Sequence, residues 1–114
     1  MEKILTVVVP AYNIETYVKQ CLDSFVQKEI LDDIEVLVIN DGSKDRTVEL
    51  AEAYVRKYPE TFRVINKENG GHGSTINRGI KEASGRYFKV VDGDDWVEGE
   101  AFVKLVRFFK RYYI

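Results

Sequence analysis

Four short apolar runs alternate with four helical segments, and this alternation constrains the fold more than any other feature of the sequence. The apolar runs cover residues 4–9, 34–39, 62–65 and 86–91. Runs that are nearly continuous in apolar residues are typical of strands buried on both faces of a parallel sheet. The segments that follow them predict helices at about residues 17–25, 48–58, 74–83 and from 98 towards the end.

This β-α-β-α-β-α-β-α order predicts an α/β fold, a Rossmann-like parallel sheet with helices on both faces and right-handed crossovers. The predicted strand order is 3-2-1-4, which makes the first and fourth strands neighbours. No linker-like stretch interrupts the alternation, so residues 1–114 are predicted to form a single domain. Ser84-Gly85 is predicted to end the third helix with a left-handed cap.

The composition argues against several classes of function. The net charge of the 114 residues is −2, so no basic field favours nucleic acid. The single cysteine, Cys21, cannot form an internal disulfide and is predicted to be a core residue, which fits a cytoplasmic chain. No signal peptide is apparent, and no apolar run approaches the roughly 18 residues of a membrane span.

Polar motifs follow three of the predicted strands, at the point where each strand ends. In open α/β sheets, ligands bind outside the carboxyl ends of the strands, where the strand order reverses. We therefore expect these motifs to line one edge of the sheet: Pro10-Ala11-Tyr12-Asn13, Asp41-Gly42-Ser43 and Asp92-Gly93-Asp94-Asp95.

The motif after the fourth strand places three carboxylates within four residues, and their repulsion favours a bound cation. Mg²⁺ or Mn²⁺ is coordinated by one or two carboxylates together with phosphate oxygens and water. The motif thus predicts a metal–diphosphate site, and a solvated acidic turn stays open as the alternative. A calcium EF-hand loop does not fit, because Trp96 and Val97 replace its third acidic ligand and its glycine.

Asp41 has two interpretations. It could accept a hydrogen bond from a base or a ribose, or it could belong to a turn in which Ser43 or Asp45 caps the next helix. Taken alone, the pattern favours the turn. The glycine-rich loop 69–74 matches neither a dinucleotide fingerprint nor a Walker loop. His72 in that loop is predicted to be a loop residue rather than a metal ligand or a catalytic base.

Taken in order and spacing, the motifs resemble those of family 2 glycosyltransferases with the GT-A fold. The resemblance implies that Ala11 and Tyr12 lie near a nucleotide base and that Asp41 accepts a hydrogen bond from it, often from uracil. It implies that Asp92 lies near the ribose, that Pro10 and Gly93 also bind the nucleotide-sugar, and that Asp94 binds the metal with support from Asp95. The matching stretches cover residues 7–13, 38–43, 67–71, 77–79 and 91–95.

The resemblance implies that a nucleoside-diphosphate sugar, with UDP as the expected nucleotide, donates its sugar to a saccharide or lipid-linked acceptor with inversion, as in cell-wall or polysaccharide biosynthesis. Two departures matter. Thr75-Ile76-Asn77 stands where many members carry Ala-Arg-Asn, and the general base is expected beyond the chain end. The sequence thus resembles a donor-binding half cut after the acidic motif. The alternative is a non-catalytic nucleotide-sugar-binding module, and we expect slow transfer or none from this chain alone.

The last predicted helix has an apolar stripe and a basic side. We expect the stripe, which includes Phe102, Val106 and Tyr113, to pack on the sheet. Two alternatives are a basic amphipathic helix at the inner face of a membrane and an interface that supports a homo-oligomer. A receiver domain is disfavoured, since it needs acidic residues where Pro10-Ala11-Tyr12-Asn13 stands, and a nucleotidyltransferase lacks its basic glycine-rich loop here.

Overall fold

The four predicted strands form one parallel sheet in the predicted order β3-β2-β1-β4. The computed structural model describes residues 2–112. Along the chain, the elements are β1 (Leu5–Ala11), α1 (Val18–Asp23), a 3₁₀ turn (Leu31–Asp33), β2 (Ile34–Asp41), α2 (Thr47–Lys57), β3 (Phe62–Lys67), α3 (His72–Glu82), β4 (Tyr87–Val90) and α4 (Gly99–Arg111). None of the helices within these residues has the length and apolar character needed to cross a bilayer.

The central strands extend further towards the site than the apolar runs predicted. β1 continues through Pro10 to Ala11 and pairs with β2 up to Asn40. Pro10 lacks an N–H group, but its carbonyl oxygen still accepts a hydrogen bond from Gly93 N, 3.0 Å away. β3 also runs to Lys67, which pairs with Asp41 at the end of β2. The polar motifs therefore begin on ordered strand backbone.

The sheet has helices on both faces, and the larger core lies on one of them. There, alternate residues of β1 such as Leu5, Val7 and Val9 pack against α1, α2 and α4. Cys21 lies in this core, as predicted, and the α4 stripe is buried through Phe102 and Val106, whereas Tyr113 lies outside the described residues. The opposite face holds a smaller cluster beneath α3, formed by Val8, Leu37, Ile39 and Ile65.

The helix α3 packs directly on β1 because residue 79 is a glycine. A Cβ atom at Gly79 would lie 2.5 Å from Cγ2 and 2.6 Å from Cγ1 of Val8. Such overpacking in a core costs about 1–3 kcal/mol. Gly79 therefore sets how closely α3 approaches the sheet.

The predicted left-handed cap at Ser84-Gly85 is wrong. α3 ends at Glu82, and Ala83 follows in an extended conformation with φ −66° and ψ 134°. Among the described residues, positive φ occurs at Asn13, Gly42 and Gly71 and not at Gly85. Gly85 is needed for space instead, because a Cβ there would lie 2.5 Å from the backbone nitrogen of Thr6. α3 also begins two residues before the predicted Ser74, at His72.

Candidate functional site

A pocket lies at the carboxyl ends of β1, β2 and β4, where all three polar motifs meet. Its volume is about 480 Å³. Seven of the eight residues singled out from the sequence line it, namely Pro10, Ala11, Tyr12, Asp41, Asp92, Gly93 and Asp94, together with Ile14, Asn69, Gly71, His72 and Thr75. The topology thus brings together residues that are up to 84 positions apart in sequence (10 to 94).

Three exposed carboxylates stand beside this pocket. Asp92, Asp94 and Asp95 each offer an oxygen, and these oxygens lie within 4.8 Å of one another. A tight turn holds them there, in which Asp95 N donates to the carbonyl oxygen of Asp92 at 2.8 Å. Hard oxygen donors at this spacing fit a divalent cation such as Mg²⁺ or Mn²⁺. Asp95, which does not line the pocket, joins the site through this cluster.

Gly93 lets the acidic turn lie against the end of β1. A Cβ atom at this position would lie 2.1 Å from Cδ1 of Ile14 and 2.9 Å from the carbonyl oxygen of Pro10. Beneath the same turn, the thiol of Cys21 donates to the carbonyl oxygen of Asp92 at 3.8 Å. Burial, together with the neighbouring charges of the Asp95, Asp94 and Asp92 carboxylates, raises the pKa of Cys21 to about 12. Cys21 therefore supports the turn as a protonated thiol rather than as a nucleophile.

Asp41 is buried, and donors of the protein itself surround its carboxylate. Oδ1 accepts from Lys67 Nζ at 2.9 Å and from Gly70 N at 2.8 Å, while Oδ2 accepts from Gly71 N at 2.9 Å. Burial alone would raise the pKa of Asp41, but the bonds from Lys67, Gly70 and Gly71 outweigh it and lower the pKa below its ordinary value. Asp41 is therefore held ionised and in one orientation.

Of the two residues predicted as caps of α2, Ser43 and Asp45, only Asp45 bonds the start of that helix among the hydrogen bonds of residues 2–112. Asp45, rather than Asp41, serves α2, because its Oδ1 accepts from Thr47 N at 3.0 Å. Ser43 Oγ accepts from Asn13 N at 3.0 Å, which ties the end of β1 to the end of β2. Asp41 makes no contact with α2 among its hydrogen bonds to residues 2–112 and instead fixes the loop before α3.

Two side chains in this region carried no clear signal in the sequence. Lys67, the last residue of β3, is only 15% exposed and bonds Asp41, Glu68 and Ser74. His72 opens α3 rather than lying in the loop, and its Nε2 is 2.7 Å from Oδ1 of Asp92. A lysine at the end of a β-strand, opposite an aspartate in a parallel pair, is a signal that could have found Lys67.

Among residues 2–112, no arginine lines the pocket. Thr75 lines the pocket, and its Oγ1 donates to the carbonyl oxygen of His72 at 2.5 Å. Arg78 is paired with Glu82 at 3.0 Å and is absent from the pocket lining.

The fold is that of the GT-A glycosyltransferases, and the comparisons with known proteins agree. The model of glycosyl transferase family 2 matches residues 6–114, so the chain belongs to that family. It is 42% identical over 105 residues to the uncharacterized glycosyltransferase EpsJ of Bacillus subtilis, covering 92% of this chain and 30% of EpsJ. The chain thus spans about a third or less of the length of its relatives.

Two solved structures share the fold of this chain. S. aureus TarS with UDP-GlcNAc superposes with a TM-score of 0.81 at 30% identity, over 95% of this chain and 31% of TarS. The Pyrobaculum calidifontis mannosyltransferase PcManGT, solved with GDP-Man and Mn²⁺, superposes with a TM-score of 0.80 at 23% identity, over 94% of this chain and 32% of that one. At that identity, the second likeness concerns the fold alone.

Proposed function

We propose that the pocket binds a UDP-linked sugar and holds it for transfer to an acceptor hydroxyl. The observation that carries this proposal is the convergence of three strand ends on one pocket, with an exposed acidic cluster beside a fixed, ionised aspartate. The structure of TarS in complex with UDP-GlcNAc supports a donor of the same class.

Each motif has a separate task in this proposal. Pro10, Ala11 and Tyr12 flank the base, and Asp41 accepts a hydrogen bond from it. Asp92 and Gly93 lie beside the ribose, where His72 holds the Asp92 carboxylate at 2.7 Å. The protein thereby fixes base and ribose before the reaction, which lowers the entropy lost on the way to the transition state.

Asp94 and Asp95 would hold a divalent metal, which the hard oxygen donors of the acidic cluster fit. Such an ion stabilises the charge that develops on the leaving nucleoside diphosphate. Attack on the face of the anomeric carbon opposite to the leaving group would invert its configuration. The acceptor in this proposal is a saccharide or a lipid-linked hydroxyl.

Calorimetric titration of UDP tests the donor site directly. With Mn²⁺ present, the wild-type chain should bind UDP, and a chelator should abolish most of the binding, because a metal held by Asp94 and Asp95 would offset the negative charge of the diphosphate. Asp94→Ala should lose the metal-dependent part, by about tenfold or more in Kd, equivalent to roughly 1.4 kcal/mol.

Asp32→Ala is the matched control, since Asp32 is an exposed aspartate at the opposite end of the sheet. It should bind UDP as the wild type does. Equal binding of UDP in Mn²⁺ and in chelator, or no binding of UDP by the wild type, would contradict the proposal.

We also propose that α4 associates with an anionic membrane surface. Its residues Gly99–Arg111 include four basic side chains and one acidic one, in a chain of net charge −2. Lys104, Arg107 and Arg111 are exposed beside Phe108, which is 55% exposed, and this arrangement suits an interfacial helix. The charge complementarity therefore favours acidic lipid headgroups.

Co-sedimentation with vesicles tests this association. Binding to phosphatidylglycerol vesicles should exceed binding to phosphatidylcholine vesicles, and Arg107→Glu with Arg111→Glu should abolish the difference. Lys81→Glu, a single charge reversal at an exposed position of α3, is the control and is compared with Arg107→Glu alone. Equal sedimentation with both lipids would reject the membrane proposal while leaving the donor site untouched.

A further inference from the structure

The carboxylate of Asp41 has one acceptor position left for a ligand. An ionised carboxylate offers about four lone-pair positions, two on each oxygen. On Oδ1, Lys67 Nζ and Gly70 N occupy both, and on Oδ2 Gly71 N occupies one. Within the part of the chain that the structure describes, the fourth position, on Oδ2, has no partner, and Asp41 lines the pocket with 6% of its side chain exposed.

Lys67 cannot itself donate to a ligand in this arrangement. Its ammonium group has three N–H donors. They are directed to Asp41 Oδ1 at 2.9 Å, to the carbonyl oxygen of Glu68 at 2.6 Å and to Ser74 Oγ at 2.8 Å. Any effect of Lys67 on a bound nucleotide must therefore act through Asp41 or through the loop that it holds.

The loop closes this arrangement into one network. Ser74 Oγ donates to the carbonyl oxygen of Gly71 at 2.8 Å, and Gly71 N is the donor to Oδ2 of Asp41. Gly70 has no room for a side chain here, since a Cβ would lie 2.8 Å from Ser74 Oγ and 3.0 Å from Lys67 Nζ. The same lysine thus fills one position of Oδ1 and anchors the loop whose amides fill the other position of Oδ1 and one position of Oδ2.

We propose that Lys67 is a specificity-determining residue that limits Asp41 to a single hydrogen bond from the nucleobase. This inference rests on the proposed function, in which Asp41 meets the base. Uracil presents one ring N–H between two carbonyl groups and needs one acceptor position. Guanine presents a ring N–H next to an amino group, and this pair of donors needs both carboxylate oxygens.

The fold by itself does not choose between these bases, because TarS is described with UDP-GlcNAc and PcManGT with GDP-Man. A buried donor that is left without an acceptor is strongly rejected. With Oδ1 filled, the second donor of guanine would be left in this way. Selection of the base therefore depends on what Lys67 does to Oδ1 rather than on Asp41 alone.

The test measures the ratio of two dissociation constants, for UDP and for GDP, each by calorimetry in Mn²⁺. The wild type should bind UDP roughly tenfold or more tightly than GDP. Lys67→Met keeps the apolar stem but frees the position on Oδ1 that the ammonium group fills, so the ratio of the GDP and UDP dissociation constants should fall towards one. Lys67→Arg keeps a donor to Oδ1 and should restore much of the preference.

A purely structural role for Lys67 would weaken both nucleotides equally and leave the ratio unchanged, which would overturn the inference. Lys81→Met is the matched control, since it removes an exposed lysine of α3 and should not alter the ratio. Absence of any nucleotide binding in the wild type would overturn the proposed function itself, and the inference with it.

A second measurement needs no variant at position 67 and so does not depend on the folding of Lys67→Met. UDP methylated at N3 of uracil lacks the single donor that Asp41 can accept. Its binding to the wild type should be weaker than that of UDP by about tenfold or more. Equal binding of UDP and its N3-methyl derivative, or tighter binding of GDP than UDP, would refute a single-acceptor site.

Discussion

Asp41 and the acidic turn at Asp92, Asp94 and Asp95 border the same pocket, but their carboxylates differ in burial and in partners. Asp41 is 4% exposed and accepts three hydrogen bonds from the protein. The three carboxylates of the turn are exposed and lie within 4.8 Å of one another. The protein thus neutralises Asp41 with its own donors, whereas the exposed carboxylates of the turn fit an external cation.

This difference suits Asp41 to the selection of a ligand and the acidic turn to the uptake of a metal. A carboxylate that is already oriented can select a ligand by geometry, because it does not reorganise on binding. A cluster of exposed carboxylates can take up a metal together with the phosphates that arrive with it. Variants that neutralise one region at a time would show whether the two regions differ in this way.

Neutralising one carboxylate in each region should have very unequal effects on the free energy of unfolding. Asp41→Asn should lower the free energy of unfolding by about 3 kcal/mol, because Lys67 and two backbone amides lose their charged acceptor in a buried place. Asp94→Asn should change it by no more than about 0.5 kcal/mol. Urea unfolding at pH 7 measures both, and a similar loss in the two variants would remove the contrast.

Adding Mn²⁺ should stabilise the chain through the acidic turn alone. At a concentration 100-fold above its Kd, the ion should raise the free energy of unfolding by about 2.7 kcal/mol. Thermal unfolding with and without Mn²⁺ measures this gain. The gain should vanish in Asp94→Asn and persist in Asp41→Asn, and its persistence in both variants would locate the metal elsewhere.

Acid should erase part of the advantage that Asp41 provides. The pKa of Asp41 is lower in the folded chain than in the unfolded one, so its contribution to stability is fully present above the unfolded pKa of about 4. It is lost as the pH falls from there through the folded pKa. In urea unfolding, the stabilities of the wild type and Asp41→Asn should therefore differ by a constant amount from pH 5 to 7 and converge progressively as the pH falls below about 4.

Salt should produce the smallest effect, and it should act on the exposed region. At low ionic strength, Asp94→Asn should raise the stability by at most about 0.5 kcal/mol, since it removes repulsion among the three carboxylates. Near 1 M NaCl, this gain should disappear, while the loss in Asp41→Asn remains. An Asp41→Asn loss that fades equally with salt would mean that its contacts are screened like those of a surface group.

The sequence was sufficient to predict the sheet and the meeting of its polar ends. Buried runs such as Ile34 to Ile39 carry their own signal, and the right-handed crossover rule leaves few strand orders. Given the order, the topology brings Pro10, Asp41 and Asp92 to one edge without further information. This part of the site follows from backbone rules that act over short stretches of sequence.

The parts that sequence reasoning missed depend on contacts between distant elements. Lys67 reaches Asp41 through the register of β3 beside β2, and His72 reaches Asp92 through the packing of α3. No local pattern encodes either contact. The left-handed cap at Gly85 failed for a related reason, since a glycine serves conformational freedom and close approach equally well, and only the position of Thr6 decides between them.

The contact between Gly79 and Val8 has a mechanical consequence for the pocket. From position 79 to His72, α3 runs seven residues, or about 10 Å, as a stiff rod whose far end forms the rim of the pocket. A methyl group at position 79 would clash with Val8, push α3 away from the sheet and so shift the rim of the pocket. Gly79→Ala should thus weaken UDP binding in calorimetry, although residue 79 does not contact the nucleotide. Any substitution at this position would change the affinity through the placement of α3.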